Sequence, residues 1–165
     1  MKLGRIARHL LVPHWVALRP FPASVLGRIE SAIGSSEMKH DGELRFAVEG
    51  GLHLASLWRG QSPHGRAIEL FSQLRVWDTD HNSGVLIYVQ LVDRTIEIVA
   101  DRGINTRVSQ ASWDEICRRT EAAFRRGQFE LGTLAAIDEV TALLARHFPA
   151  AGANPNELPD KPLVL

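Results

Sequence analysis

The amino-acid sequence predicts an α/β fold, a three-layer αβα sandwich in which about four helices flank a small mixed central sheet. Helical and strand-like segments alternate along the chain, and the strand-like segments are largely apolar, as expected of strands that are covered on both faces. The 165 residues suit one domain, and 45% of them are hydrophobic, which is enough for an ordinary buried core.

The first half of the chain predicts two helices and one strand. Apolar residues recur at helical spacing over residues 23–37. Residues 43–49 (ELRFAVE) carry apolar side chains at alternate positions, which predicts a strand. Residues 52–61 fit either a short helix or a strand. Ser62 then predicts the N-cap of a second helix, which continues to about Trp77.

A hairpin is predicted in the middle of the chain. The run GVLIYVQLV, which begins at Gly84, is nearly all apolar and predicts a strand that is buried on both faces. Asp93 and Arg94 form a tight turn, and TIEIVA, which begins at Thr95, predicts the returning strand.

Two further helices are predicted to close the domain. The first spans about residues 112–126, with Ser112 as its N-cap and Glu115 as the capping-box partner. The second spans about residues 129–148. The chain is thereby divided into a basic and apolar segment (1–22), an αβα domain (23–148) and an extended tail rich in proline and asparagine (149–165).

The composition excludes several classes of protein. Nineteen basic and nineteen acidic residues cancel, which argues against a nucleic-acid partner, because nonspecific binding needs a positive excess. The single cysteine, Cys117, excludes an internal disulfide and fits a reducing compartment. No stretch approaches the roughly 20 apolar residues of a membrane span, and the N-terminus does not resemble a signal peptide. We therefore expect a cytoplasmic protein without a membrane span.

Residues 1–22 interleave basic and apolar side chains, and two interpretations are open. The segment could lie on an anionic membrane surface, or it could pack back onto its own domain. We expect the second, because the domain can cover the apolar area of Trp15 and Phe21 and because the balanced net charge gives little attraction to lipid.

The stretch WDTDHNSG, residues 77–84, is the strongest candidate for a functional site. Asp78, Asp80 and Asn82 stand two residues apart, a spacing that lets a loop curl around a hard cation such as Ca²⁺ or Mg²⁺. The loop is not an EF-hand, because its glycine comes one place late and Val89 stands where glutamate is needed. The spacing alone also fits a polar turn before a strand.

A metal site in this loop would need ligands from elsewhere, and Glu43 and Asp101 are the candidates. Asp101 and Arg102 leave the second hairpin strand, and Gly103 permits a tight turn. Arg102 could bind an anionic group with two hydrogen bonds, or it could simply pair with Asp101 at the surface. No catalytic nucleophile is assigned, because Cys117 lies on the apolar face of a helix and fits a small buried hydrophobe better.

Three separated segments resemble the TPM domain family in order and spacing, over roughly residues 23–148. They are GELRFAV, NSGVLIYVQLVDRTIEIVADRGI and FRRGQFELGTLAAIDEVTALLARHF. The Asn-Asn-Gly of the family appears here as NSG at residues 82–84, and its Gly-x-Gly after the hairpin appears as DRG at residues 101–103. The resemblance implies an αβα sandwich of the small soluble type that is associated with bacteria.

The resemblance also implies two functions of different classes. The first is a metal-dependent phosphatase of low efficiency, in which Ca²⁺ or Mg²⁺ between the acidic loop and Asp101 polarises a phosphoryl oxygen. Arg102 or Arg45 would then bind the phosphate. The second is a noncatalytic, calcium-binding adaptor for a protein partner, which could be membrane-associated. The family's calcium precedent and the position of Asp101 move our prediction for residues 77–84 from a turn to a metal-capable loop.

Overall fold

The computed structural model describes residues 2–152 and 155–165. Four strands form one sheet: β1 (Glu43–Glu49), β2 (Gly84–Gln90), β3 (Thr95–Ala100) and β4 (Leu163–Val164). Their order across the sheet is β3-β2-β1-β4. β1 is parallel to β2 and to β4, whereas β2 and β3 form the predicted antiparallel hairpin. The sheet is therefore mixed, as the sequence predicts.

Helices occupy most of the remaining described chain. In order, they are α1 (Lys2–Leu11), α2 (His14–Ala17), α3 (Ala23–Glu37), α4 (Leu54–Trp58), α5 (Pro63–Gln73), α6 (Arg102–Asn105), α7 (Gln110–Arg125) and α8 (Phe129–His147). No helix within 2–152 and 155–165 is long and apolar enough to cross a membrane.

The four long helices α3, α5, α7 and α8 lie on the two faces of the sheet. α3, α7 and α8 share a hydrophobic cluster with the inward side chains of β1, β2 and β3, and this cluster includes the fully buried side chains of Phe46, Ile87 and Trp113. On the other face, α5 packs against Leu86 and Tyr88. All seven residues of β2 are buried, as the apolar run predicts. These two helical layers confirm the αβα sandwich.

Two boundaries differ from the sequence prediction, and one segment that the sequence left open is now assigned. Ser112 is not the N-cap of α7: the helix begins two residues earlier, and Ser109 is the cap, with its hydroxyl accepting from the backbone N–H of Ser112. α5 ends at Gln73, before Trp77, and Arg75 follows with a φ of 53°, in the left-handed region that ends helices. The ambiguous segment 52–61 contains a short helix, α4.

Residues 155–165 of the C-terminal tail lie beside β1, whereas residues 153–154 of the predicted extended tail lie outside the described residues. β4 pairs with Ala47 and Val48, and the side chain of Leu158 is buried against the α5 face of the sheet. One guanidinium nitrogen of Arg45 donates to the carbonyl oxygens of Pro159 and Lys161. The tail therefore completes both the edge and one face of the sheet, which the proline-rich composition of residues 149–165 does not reveal.

A group of carboxyl side chains lies where the tail meets α3 and β1. Glu43 accepts hydrogen bonds from the backbone N–H groups of Glu157 and Leu158, each at 3.1 Å. Glu37, Glu43 and Asp160 line one cavity there. Burial raises the pKa of Glu37 to about 8, the negative charges of Glu43 and Asp160 raise it further, and the N–H of Leu44 opposes the rise. Glu37 therefore binds a proton more tightly in the folded protein than in the unfolded chain.

This proton predicts a pH dependence of stability. The pKa of Glu37 rises from 4.5 to about 8 on folding. Its contribution to the free energy of unfolding is therefore fully present below pH 4.5 and is lost as the pH rises through 8. Glu37→Gln should flatten the decline and raise the free energy of unfolding at pH 8 and above by about 1–2 kcal/mol, allowing for solvent screening. Denaturant titrations across this pH range measure both effects. Glu30→Gln, an exposed site on the same helix, is the control, and an equal slope in all three proteins would contradict the prediction.

Candidate functional site

The loop that carries Asp78, Asp80 and Asn82 is packed closely against the ends of two strands. A Cβ atom on Gly84 would lie 1.8 Å from the carbonyl oxygen of Val76, so only glycine allows this approach. A Cβ atom on Gly103 would lie 2.5 Å from the carbonyl oxygen of Asn82 and 2.7 Å from that of His81. The backbone oxygens of the loop therefore face the turn that follows β3.

Asp101 lies in that turn, at the N-terminus of α6. Its backbone N–H donates to the carbonyl oxygen of Gly84 at 2.9 Å, and its Oδ1 accepts from the N–H of Arg102 at 2.6 Å. Its Oδ2 is buried and has no hydrogen-bond partner among the described residues. A buried carboxylate oxygen without a partner is unusual, because the loss of hydration is then uncompensated.

Asn82 and Arg102 adjoin Asp101. The Oδ1 of Asn82 accepts from the Nε of Arg102 at 3.1 Å, and Asn82 has a φ of 51°. Arg102 is exposed, and its side chain donates to Asn82. A surface pair with Asp101 was one of the two interpretations that the sequence left open for Arg102. Three of the predicted site residues therefore come together at this end of the sheet.

The other predicted site residues are arranged differently. Asp78 and Asp80 are exposed, and the backbone N–H of Asp80 donates to Glu157 in the tail. The carboxylate of Glu43 and the guanidinium of Arg45 bind the backbone of the tail, and burial lowers the pKa of Arg45. No three His, Cys, Asp or Glu side chains among the described residues form a group that could hold a metal ion. The metal ligands therefore remain a prediction.

Oxygen atoms next to Asp101 nevertheless have the chemistry of a hard-cation site. The Oδ2 of Asp101 has no partner among the described residues, and the carbonyl oxygens of His81 and Asn82 pack against Gly103, two residues further along the chain. Carboxylate and carbonyl oxygens are the ligands that Ca²⁺ uses in proteins, and part of its shell is commonly water. The residues present are therefore suited to Ca²⁺ or Mg²⁺, with the exposed carboxylates of Asp78 and Asp80 nearby in sequence.

A cavity of about 420 Å³ adjoins the same loop, and the sequence did not predict it. Its walls come from four separate segments, namely Asp41, His81, Ser83, Gly103, Thr106, Arg107, His147, Phe148 and Pro149. Arg107 donates to the carbonyl oxygen of His147 at 2.9 Å, and its guanidinium lies 4.8 Å from the ring centre of Phe148. No local pattern joins residues so far apart in sequence, so only the fold reveals this group of basic side chains.

Cys117 contributes neither to the loop beside Asp101 nor to the cavity lined by Arg107. It lies on α7, is partly buried, and packs against the main hydrophobic cluster. Burial raises the pKa of its thiol to about 12, so the reactive thiolate is not populated near neutral pH.

Comparisons with known proteins agree with this architecture. The chain is similar to the BA42 protein from the psychrophilic bacterium Bizionia argentinensis, solved by NMR, with 30% sequence identity and a TM-score of 0.76 over 87% of this chain and 94% of that one. It shares its fold with the N-terminal domain of a protein from P. gingivalis, also solved by NMR, with 14% identity and a TM-score of 0.63 over 79% of this chain and 80% of that one. No curated protein matches the chain. The family model described as the TPM domain matches residues 21–143. The chain therefore belongs to the TPM domain family.

Proposed function

We propose that this chain is a calcium-binding TPM domain that acts as a noncatalytic adaptor. The observation that carries the proposal is the buried Oδ2 of Asp101, which has no hydrogen-bond partner among the described residues. Asp101 is bound through its backbone N–H to Gly84, at the end of the loop, and the loop carbonyl oxygens of His81 and Asn82 pack against Gly103. A cation would compensate the buried charge and would relieve repulsion between the neighbouring carboxylates of Asp78 and Asp80. Asp101, the two loop aspartates and Asn82 would supply the ligands.

The adaptor role is supported by what surrounds the loop. Trp77 immediately precedes it and is about half exposed, and an exposed aromatic side chain is the kind of residue that anchors protein interfaces. Cation binding would fix the loop and hold Trp77 in one position relative to the sheet. A protein partner could then recognise the ordered loop together with the tryptophan, and no bond needs to be made or broken.

Calcium should stabilise the folded protein by mass action. At a free concentration of about 100 times the dissociation constant, the gain is about 2.7 kcal/mol, which corresponds to a rise in Tm of about 5–10 °C for a domain of this size. Asp78→Asn, Asp80→Asn and Asp101→Asn should each remove the rise. All three should leave the calcium-free Tm nearly unchanged, because asparagine serves as well as aspartate in a turn or helix cap.

The matched control is Asp114→Asn, because Asp114 is exposed on α7 and distant in sequence from the loop. Thermal melts with calcium, magnesium or chelator measure the shift, and titration followed residue by residue by NMR locates it. If millimolar calcium leaves the wild-type melt unmoved, residues 77–84 are only a polar turn and the cation site is absent.

A metal-dependent phosphatase is the second candidate, and the cavity next to the loop favours it. His81, Arg107 and His147 line that cavity, which is large enough for a phosphate group. Arg107 would bind the phosphate, and a histidine could donate a proton to the leaving oxygen. Arg45, which we predicted as an alternative phosphate ligand, instead donates to tail carbonyl oxygens. A cation held beside Asp101 would polarise a phosphoryl oxygen.

Hydrolysis of an aryl phosphate tests this candidate. A phosphatase should show a rate above the buffer blank that chelator abolishes and that Arg107→Gln lowers by about 10²-fold or more, because an arginine that stabilises the developing charge is lost. Arg118→Gln, on the exposed side of α7, should keep the wild-type rate. A rate equal to the blank with calcium, magnesium and manganese in turn would exclude the phosphatase and leave the adaptor.

A further inference from the structure

Helix α1 is oriented with polar side chains towards the domain. Arg5 donates from Nε to Oδ2 of Asp93 at 2.8 Å and from Nη1 to the carbonyl oxygen of Gln61 at 2.7 Å. His9 is buried, and its Nδ1 accepts from the N–H of Leu52 at 3.0 Å. Burial works to raise the pKa of Asp93, but contacts with His9 and Arg5 outweigh it and lower the pKa to about 2. The polar face of α1 is therefore fixed to the turn after β2.

The opposite face of α1 is apolar and exposed. Leu3, Ala7, Leu10 and Leu11 are spaced by three and four residues, so they form one stripe along the helix. Leu3 is 80% exposed and Leu11 is 78% exposed. An amphipathic helix on a globular domain normally buries its apolar stripe. In α1 the orientation is reversed, so the apolar stripe is free to contact a surface outside the domain.

Exposed apolar side chains are also present on the two short helices α2 and α4. Trp15 on α2 is 63% exposed, although the sequence led us to expect that the domain covers it, whereas Phe21 is buried as expected. On α4, which packs against α1, Trp58 is 71% exposed. We call the exposed apolar side chains of α1, α2 and α4 the N-terminal apolar face, which consists of Leu3, Ala7, Leu10, Leu11, Trp15, Leu54 and Trp58.

Basic side chains dominate around this face, and Asp93, which pairs with Arg5 and lies 4.0 Å from Arg8, is the acidic side chain on the domain side of α1. Neither residues 1–29 nor residues 50–68 contain an aspartate or a glutamate. Arg8, Arg19 and Arg59 are exposed among the apolar side chains, and the guanidinium of Arg19 lies 4.9 Å from the ring centre of Trp15. The net charge of zero therefore conceals a local positive excess.

From this combination we propose that the N-terminal apolar face docks on the surface of an anionic lipid bilayer. Leucine and tryptophan side chains enter the boundary between head groups and acyl chains, and the arginines contact the anionic head groups. Each basic side chain near such a surface adds to the attraction. A second copy of the chain fits less well, because its own face would bring arginines against arginines, and the carboxylate of Asp93 is largely buried and already paired with Arg5.

Vesicle co-sedimentation of the full-length chain tests the proposal. The protein should bind vesicles of phosphatidylglycerol and bind vesicles of phosphatidylcholine much less, and added salt should weaken the binding because it screens the arginines. The double variant Leu10→Gln/Leu11→Gln should reduce partitioning onto phosphatidylglycerol by about tenfold or more. Leu131→Gln, which alters a leucine on α8 with 63% exposure, is the matched control and should bind as wild type does.

Trp58→Gln is a second, independent variant and should also weaken binding. Because all altered side chains are exposed, thermal melts should show that each variant folds. Binding of the Leu10/Leu11 variant at the wild-type level, equal binding to both lipids, or no sedimentation with phosphatidylglycerol would overturn the proposal. A wild-type dimer that the Leu10/Leu11 substitutions convert to a monomer would also overturn the proposal, because a second copy would then cover the face. Analytical ultracentrifugation detects such a dimer.

The calcium titration does not involve this face, so either proposal can fail without the other.

Discussion

The burial of β2 on both faces is the constraint on which the rest of the structure depends. All seven of its residues are buried, so one helical layer cannot cover it, and the chain must supply α3, α7 and α8 on one face and α5 on the other. β2 must also begin abruptly, and Gly84 permits the carbonyl oxygen of Val76 to pack onto the strand end. The polar loop is thereby directed across the end of the sheet towards Asp101. The candidate cation site is thus a geometric consequence of how this central strand is covered.

The sequence predicts those parts of the fold that have local signals. Three such signals are the apolar run of β2, the alternation of β1 and the helical spacing of α3. Each depends only on residues that are close in sequence, and all three elements are observed. Ser109 and Ser112 show where local signals become insufficient. Both serines precede a suitable helical pattern, and the backbone conformation at Ser109 decides which one is the cap. The orientation of α1 and the pairing of β4 depend on Asp93 and Ala47, which are distant in sequence and leave no periodic signal.

The strands also determine which of the predicted site residues lie near one another. Asn82, Asp101 and Arg102 come together because Gly84 and Asp101 are joined by the hairpin register, which the two apolar strands already specify. Glu43 and Arg45 share the face of β1 opposite its buried Leu44, Phe46 and Val48. α5 packs on β2 and β3 on that side, and the C-terminal tail contacts β1. The tail therefore contacts both of the polar side chains that the sequence assigned to a ligand, and their role as ligands stays a prediction.

The two charged surfaces of the molecule lie at opposite ends of β2. The acidic loop meets the strand at Gly84, whereas α1 is bound to Asp93, three residues beyond the other end. A seven-residue strand spans about 20 Å, which exceeds the distance of about 8 Å over which charges act at physiological salt. If the N-terminal apolar face rests on an anionic bilayer, the carboxylates of Asp78 and Asp80 are held beyond the reach of repulsion from the lipid. Trp77 and the loop would then face the aqueous side, so the proposed membrane contact and the proposed partner contact are compatible in one domain.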